Sequence, residues 1–181
     1  MSAFQDLMAF QKETEALGQI MGRLGWDQET MMPPGAAEQR AEEMAALDGV
    51  LHARRIDPRI GDWLAAATPS DEVEARQLEL VRRRFEKTQK IPANLSTALA
   101  RTTSLAHRIW AEARATNDVA MFMPKLAEVV DLAREKASAL ATNGALYDAL
   151  LDDYEPGATE ADLEAMFGAL RPRLVALRER L

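Results

Sequence analysis

Ile91-Pro92-Ala93-Asn94-Leu95-Ser96-Thr97-Ala98-Leu99-Ala100-Arg101-Thr102-Thr103-Ser104-Leu105-Ala106-His107-Arg108-Ile109-Trp110-Ala111-Glu112-Ala113 carries the cleanest repeat in a chain of 181 residues. Leu95, Leu99, Thr102, Ala106, Ile109 and Ala113 recur at alternating steps of four and three, which puts all six on one face of an α-helix. Composition points the same way. Ala occurs 33 times, while Val and Ile together number only 12. Ala is the best helix former, and β-branched side chains lose rotamer freedom in a helix, so the balance disfavours strands.

Outward from that stretch, punctuation and periodicity alternate. Thr68-Pro69-Ser70-Asp71 predicts the start of a charged helix running to about Gln89. Asp57-Pro58 predicts an N-cap and first turn for a short helix bearing Ile60, Trp63 and Leu64. Ala36 to Ala53 reads as a helix with Met44, Leu47 and Leu51 at helical spacing. Met31-Met32-Pro33-Pro34-Gly35 must break the chain before it, because two prolines and a glycine cannot continue a hydrogen-bonded helix. The first helix starts at Ser2, with Gln5 placed to complete a capping box, and carries Phe4, Leu7, Met8, Leu17, Ile20, Met21 and Leu24.

Downstream, Asn117-Asp118 is expected to cap a segment that Pro124 interrupts, with Pro124 in the first turn of a long helix. Asn143-Gly144 has the chemistry of a left-handed cap for that helix. A shorter helix is expected from Leu146 to Tyr154. A last one begins after Thr159, with Leu163, Phe167, Leu170, Leu174, Leu177 and Leu181 on one stripe and Pro172 expected to kink it or shift its start. The expectation is an all-α array of seven or eight helices forming a single helical domain over 1–181. The apolar, uncapped last stripe suggests that the chain is part of something longer.

Charge and residue inventory narrow the function. The net charge of −7 argues against nucleic acid as the main partner, because phosphate binding needs a basic face. The absence of Cys removes disulfides, thiolate metal sites and Cys nucleophiles. The N-terminus shows no signal-peptide pattern and no apolar run approaches a membrane span, so a soluble, cytoplasmic chain is expected. The two histidines, His52 and His107, form no His-Glu-x-x-His motif. His52 is expected to be a solvated or locally paired surface residue, four positions after Asp48, and His107 an interfacial one with a single hydrogen bond. Neighbouring carboxylates such as Glu42-Glu43 point to different sides of a helix and make no acid–base pair. Arg82-Arg83-Arg84 with Lys87 and Lys90 reads as a solvated face balanced by Glu72, Glu74, Glu79 and Glu86. No phosphate-binding glycine loop and no Gly-x-Ser-x-Gly elbow occurs. By residue chemistry alone, the chain is not a complete enzyme.

One segment stands apart: Leu24-Gly25-Trp26-Asp27-Gln28-Glu29-Thr30-Met31-Met32-Pro33-Pro34-Gly35, followed by Arg40-Ala41. Lys90-Ile91-Pro92, Trp110, Ala113-Arg114, Asn117-Asp118, Phe122, Pro124 and Leu126 follow it in order. Tyr147-Asp148-Ala149-Leu150-Leu151-Asp152, Tyr154-Glu155-Pro156-Gly157, Phe167 and Leu170-Arg171 complete the series. Together they resemble the N-terminal region of the Taq-type thermostable carboxypeptidases, zinc metallopeptidases that trim C-terminal residues. The resemblance implies an almost wholly helical fold in which this region forms one wall and a lid over a deep groove. It also implies zinc, a peptide substrate, a homodimer and, as partner, the catalytic C-terminal portion of the same enzyme.

That family's zinc motif lies beyond the region matched, so no catalytic residue and no metal ligand carries over, no cofactor is assigned to this chain, and substrate-binding residues stay unassigned. Trp26, Asp27, Thr30, Pro33 and Arg40 are signature residues expected to act structurally: Trp26 packs against the body and Asp27 caps or pairs locally, fixing the Pro-Pro-Gly turn. The alternative is that this segment lines the groove. The first or last helix is expected to expose an apolar stripe for the catalytic portion to cover. Two further readings stand beside the peptidase region, a stand-alone helical interaction module and a carboxylate-only metal enzyme. The latter lacks the Glu-x-x-His pattern that such sites use.

Overall fold

Helix α1 (Ala3–Thr30) begins on its capping box. The Gln5 amide donates to Ser2 Oγ at 3.2 Å, and the Ser2 amide donates to Gln5 Oε1 at 3.0 Å. The computed structural model describes residues 2–142 and 145–180, and among them every regular element is helical. A 3₁₀ turn at Pro34–Ala36 leads into α2 (Ala37–Arg55). Asp57 caps α3 (Pro58–Ala66) by accepting from the Arg59 amide at 2.9 Å, and the Arg59 guanidinium holds the Asp57 carboxyl below its ordinary pKa. Asp71 caps α4 (Glu72–Gln89) by accepting from the Glu74 amide at 2.8 Å. Then come α5 (Ala93–Thr116), α6 (Val119–Leu140), α7 (Leu146–Leu151) and α8 (Glu160–Arg178). The all-α expectation holds, with eight α-helices among the described residues.

Some boundaries differ from expectation, for local reasons. Asn117 serves α5 rather than the next helix: it adopts φ 54°, ψ 35°, the left-handed cap that Asn tolerates. Asp118 alone caps α6, accepting from the Met121 amide at 3.2 Å. Pro124 lies inside α6, in its second turn rather than its first, and Pro172 lies inside α8. The α7 helix stops at Leu151, and turns occupy the stretch to Gly157. The cap expected at Asn143-Gly144 lies outside the described residues.

Two compact units divide the chain, Met1–Glu135 and Lys136–Leu181. In the first, α2 runs along α5 and also packs on α1 and α4, while α3 packs on α1 and α4. Leu7 and Phe10 from α1, Ile60 and Leu64 from α3, and Leu78 from α4 form a buried core flanked by Phe4, Trp63 and Phe85. Full burial of one such side chain contributes about 1.5–3 kcal/mol. Arg54 fastens α2 to α1 beside this core. Its Nε donates to Thr14 Oγ1 at 3.0 Å, its Nη2 to the Phe10 carbonyl at 3.2 Å, and its guanidinium lies 4.1 Å from the Phe10 ring centroid. Across the other side of α2, Ser96 donates to Asp48 at 2.7 Å and Arg101 donates to Glu42 at 2.6 Å.

That double-sided packing corrects the expectation for His52, which is only 4% exposed rather than on the surface. A helix covered on several sides buries residues that lie off its main apolar stripe. No helix of the described residues is long and apolar enough to cross a membrane.

In the second unit, short polar contacts shape the link from α7 to α8. Asp148 Oδ1 accepts from the Glu160 amide at 2.8 Å, and Thr159 caps α8 by accepting from the Asp162 amide at 3.2 Å. Asp152 Oδ1 accepts from the Gly157 amide at 3.3 Å, and Lys136 donates to Asp153 at 2.7 Å. Gly157 sits at φ +87°, where a Cβ is strained. Gly157→Ala is therefore expected to destabilise by about 1–2 kcal/mol. Gly168→Ala, in open space within α8, should stabilise by roughly 0.5–1 kcal/mol. Urea unfolding followed by circular dichroism reads both, and equal signs would contradict this account.

Candidate functional site

The corner between α1 and α2 holds all five signature residues, with Arg40 bonded to Asp27, Thr30 bonded to the Trp26 carbonyl and Pro33 accepting from Ala36. At the end of α1, the Asp27 carbonyl accepts from the Met31 and Met32 amides, each at 2.9 Å, and Thr30 Oγ1 donates to the Trp26 carbonyl at 2.7 Å. These bonds satisfy carbonyls that a helix end would otherwise leave open. Pro33 is extended at φ −60°, ψ 143°, and its carbonyl accepts from the Ala36 amide at 2.9 Å. The chain thus turns through a rigid Pro-Pro step into α2.

Arg40, in the first turns of α2, reaches back across this corner. Its Nη2 donates to Asp27 Oδ2, its Nη1 to the Leu24 carbonyl, and its Nε to Glu43 Oε2 at 3.1 Å. The guanidinium is nearly buried, while the Asp27 and Glu43 side chains remain part-exposed. Hydrogen bonding to Asp27 raises the Arg40 pKa above arginine's ordinary value against the opposing cost of burial, and Glu43 adds to the rise. A fork of fixed donors is what three acceptors in different directions require, and a lysine ammonium does not supply it. The expected local pairing of Asp27 is therefore present, with Arg40 as its partner.

Trp26 corrects the other half of that expectation: it is 63% exposed and does not pack against the described body. Helical geometry gives the reason. Gln28 faces α5, where Ser104 Oγ donates to Gln28 Oε1 at 2.6 Å and Gln28 Nε2 donates to the Ser104 carbonyl at 3.2 Å. Trp26, two residues earlier, lies about 200° around the helix and points away from α5. Beyond Gln28, Glu29 Oε1 lies 3.9 Å from His107 Nε2, too far for the single hydrogen bond expected of His107. The His107 ring lies 5.9 Å from that of Trp110 instead.

Several other polar groups hold the helices together. Glu42 and Glu43 diverge to Arg101 and Arg40, as adjacent helical residues must. In the basic run, Arg82 donates to the Leu64 carbonyl at 3.3 Å and Arg84 pairs with Glu15 at 3.5 Å. Among the described residues, no group of three or more His, Asp or Glu could hold a metal ion. Sequence reading passed over Arg54, Gln28 and Ser104. Their partners lie 40 to 76 positions away along the chain, and nothing local signals such contacts.

Comparison with known proteins adds what geometry cannot. The sequence model of the carboxypeptidase Taq (M32) metallopeptidases matches residues 6–181. Thermostable carboxypeptidase 1 of Thermus thermophilus is 38% identical over 195 residues, a match covering 99% of this chain and 38% of that protein. The solved structure of Pyrococcus furiosus carboxypeptidase superposes with a TM-score of 0.80 at 28% identity, covering 99% of this chain and 37% of that one. The BsuCP crystal structure gives a TM-score of 0.90 at 22% identity, covering 98% and 37%, a likeness of fold. The chain spans a little over a third of the length of the curated relatives it matches.

Proposed function

The chain belongs to the carboxypeptidase Taq metallopeptidase family, and from that membership we propose that it is the N-terminal lid and groove-wall region of a zinc-dependent metallocarboxypeptidase. That enzyme removes C-terminal residues from peptides in the cytoplasm, as a homodimer, and this region alone is catalytically silent. The observation that carries the reading is the match of 99% of this chain to 38% of a curated carboxypeptidase. The site geometry supports it. Helices α1, α3 and α4 share a core, α2 packs along α5, and Arg40 and Arg54 fasten α2 to α1, which suits a stiff wall.

A test compares two proteins. The 181-residue chain, supplied with zinc and an N-blocked peptide, is expected to release no C-terminal amino acid by mass spectrometry. The product of the native gene, isolated from its own host, is expected to be far heavier than 20 kDa. It should release that residue, stop on chelation and resume with zinc. A product of 20 kDa with no larger precursor would favour the stand-alone interaction module. Hydrolysis by the short chain itself would overturn the assignment of catalysis elsewhere.

A further inference from the structure

We propose that the apolar ridge of α8 is an internal docking face, occupied in the finished enzyme by a helix from the portion of polypeptide that the relatives have beyond the match. The inference rests on the reading given above. Phe167, Leu170, Leu174 and Leu177 follow Leu163 at alternating steps of four and three. That is the seam spacing along which one helix lies lengthwise on another. Met166 widens the ridge at its start. Those four residues and Met166 are all exposed, Phe167 at 56% and Leu177 at 53%.

The surroundings of the ridge narrow its occupant. Glu160, Glu164 and Asp162 face solvent together with Arg171, Arg173 and Arg178, so the rims carry both signs. An apolar centre with a mixed polar rim is the anatomy of a protein interface. A helix lying on an anionic lipid surface would instead concentrate Lys and Arg on its polar face. A second copy of α8 is a poor fit, because the seam spans fewer than the three or four heptads a free-standing coiled coil needs. A helix of the same polypeptide has no such requirement, since covalent linkage supplies it at high effective concentration. Well over half of the Thermus relative lies outside the match, which in that protein is chain enough to provide such a helix.

The absence of cysteine makes the test direct. Single Leu170→Cys and Leu177→Cys variants are made in the 181-residue chain and in the native-gene product. Each is labelled with a maleimide, the labelled peptide is mapped by mass, and each rate is divided by the rate in urea. Both cysteines are expected to label freely in the short chain and at least tenfold more slowly in the longer product. Equal rates in a longer product that still hydrolyses peptides would overturn the docking face while leaving the peptidase reading standing. Slowing in the short chain that grows with its concentration would identify a second copy as the occupant and overturn the proposal. A native product of 20 kDa would remove the occupant and the peptidase reading together.

Discussion

Arg40→Met is expected to lower the unfolding free energy by about 2 kcal/mol. Methionine keeps most of the aliphatic stem and removes the guanidinium, so the loss isolates three hydrogen bonds, to Asp27, the Leu24 carbonyl and Glu43. Hydrogen bonds to charged groups contribute about 1.5–3 kcal/mol each when water is excluded. Both carboxylates here are more than a third exposed, so water replaces part of what the mutation removes and the sum is well below the dry value. Arg40→Lys should recover less than half, because an ammonium cannot address three directions at once. A double-mutant cycle with Asp27→Asn should give a coupling of about 1 kcal/mol. Urea unfolding measures the unsubstituted chain and the four variants, and a loss under about 0.5 kcal/mol for Arg40→Met would mean that the corner adds little to stability.

The same pair distinguishes structure from groove contact at the Trp26-to-Pro33 segment. In the longer enzyme, Asp27→Asn should reduce stability and leave turnover unchanged, because the Asp27 carboxylate is committed to Arg40. Turnover lost at unchanged stability would move this segment to the groove. Protonation of Arg40 does not confuse the result. Its pKa is raised in the folded state. The associated stability is therefore fully present below arginine's ordinary value and is lost only when pH climbs past the raised one. From the arginine side the clamp is constant through neutral pH.

Why this corner was half legible follows from what local sequence encodes. Capping and breaking are local chemistry, so Ser2-Gln5, Asp57-Pro58, Asp71 and the Pro33-Pro34 break all stand in the structure where their residue types demand. The Arg40 fork joins positions 13 and 16 apart across a turn, beyond any helical period. His52 was misread because α2 touches α1, α4 and α5 together, and a sequence shows how many apolar residues a helix has, not how many neighbours. Trp26 fails in the opposite sense. Its type suggests a core, yet its direction is set by Gln28 turning toward Ser104 on a helix 76 positions away. The α8 ridge was legible as a stripe. Its exposure is legible only as one of two possibilities, the first helix or the last, because exposure depends on which partners are present.

Leu7→Ala should be the more damaging change, at about 3–4 kcal/mol. Leu7 is fully buried against Ile60, Leu64 and Leu78 and has no polar atom whose loss water could repair. Truncation removes its transfer energy and leaves a cavity walled by three helices, α1, α3 and α4, of which α4 is tied to α3 by Arg82 and α1 is held from outside by Arg54 of α2. Walls fixed in that way cannot collapse far, which places the cost in the upper half of the range for leucine truncation. Against a total stability of about 5–15 kcal/mol, this brings a chain near the low end close to unfolding. Leu174→Ala supplies the contrast, since the same atoms are removed from a side chain that is half exposed. In the 181-residue chain its cost should stay within about 0.5 kcal/mol. If a helix of the longer enzyme covers the α8 ridge, the same substitution there should cost about 2 kcal/mol or more. Chemical unfolding of the two variants in both lengths of protein therefore separates a core that the chain completes by itself from one that it only begins. A Leu7→Ala cost below about 1.5 kcal/mol would mean that the α1–α3–α4 core collapses around the gap and is not the rigid base that a groove wall needs.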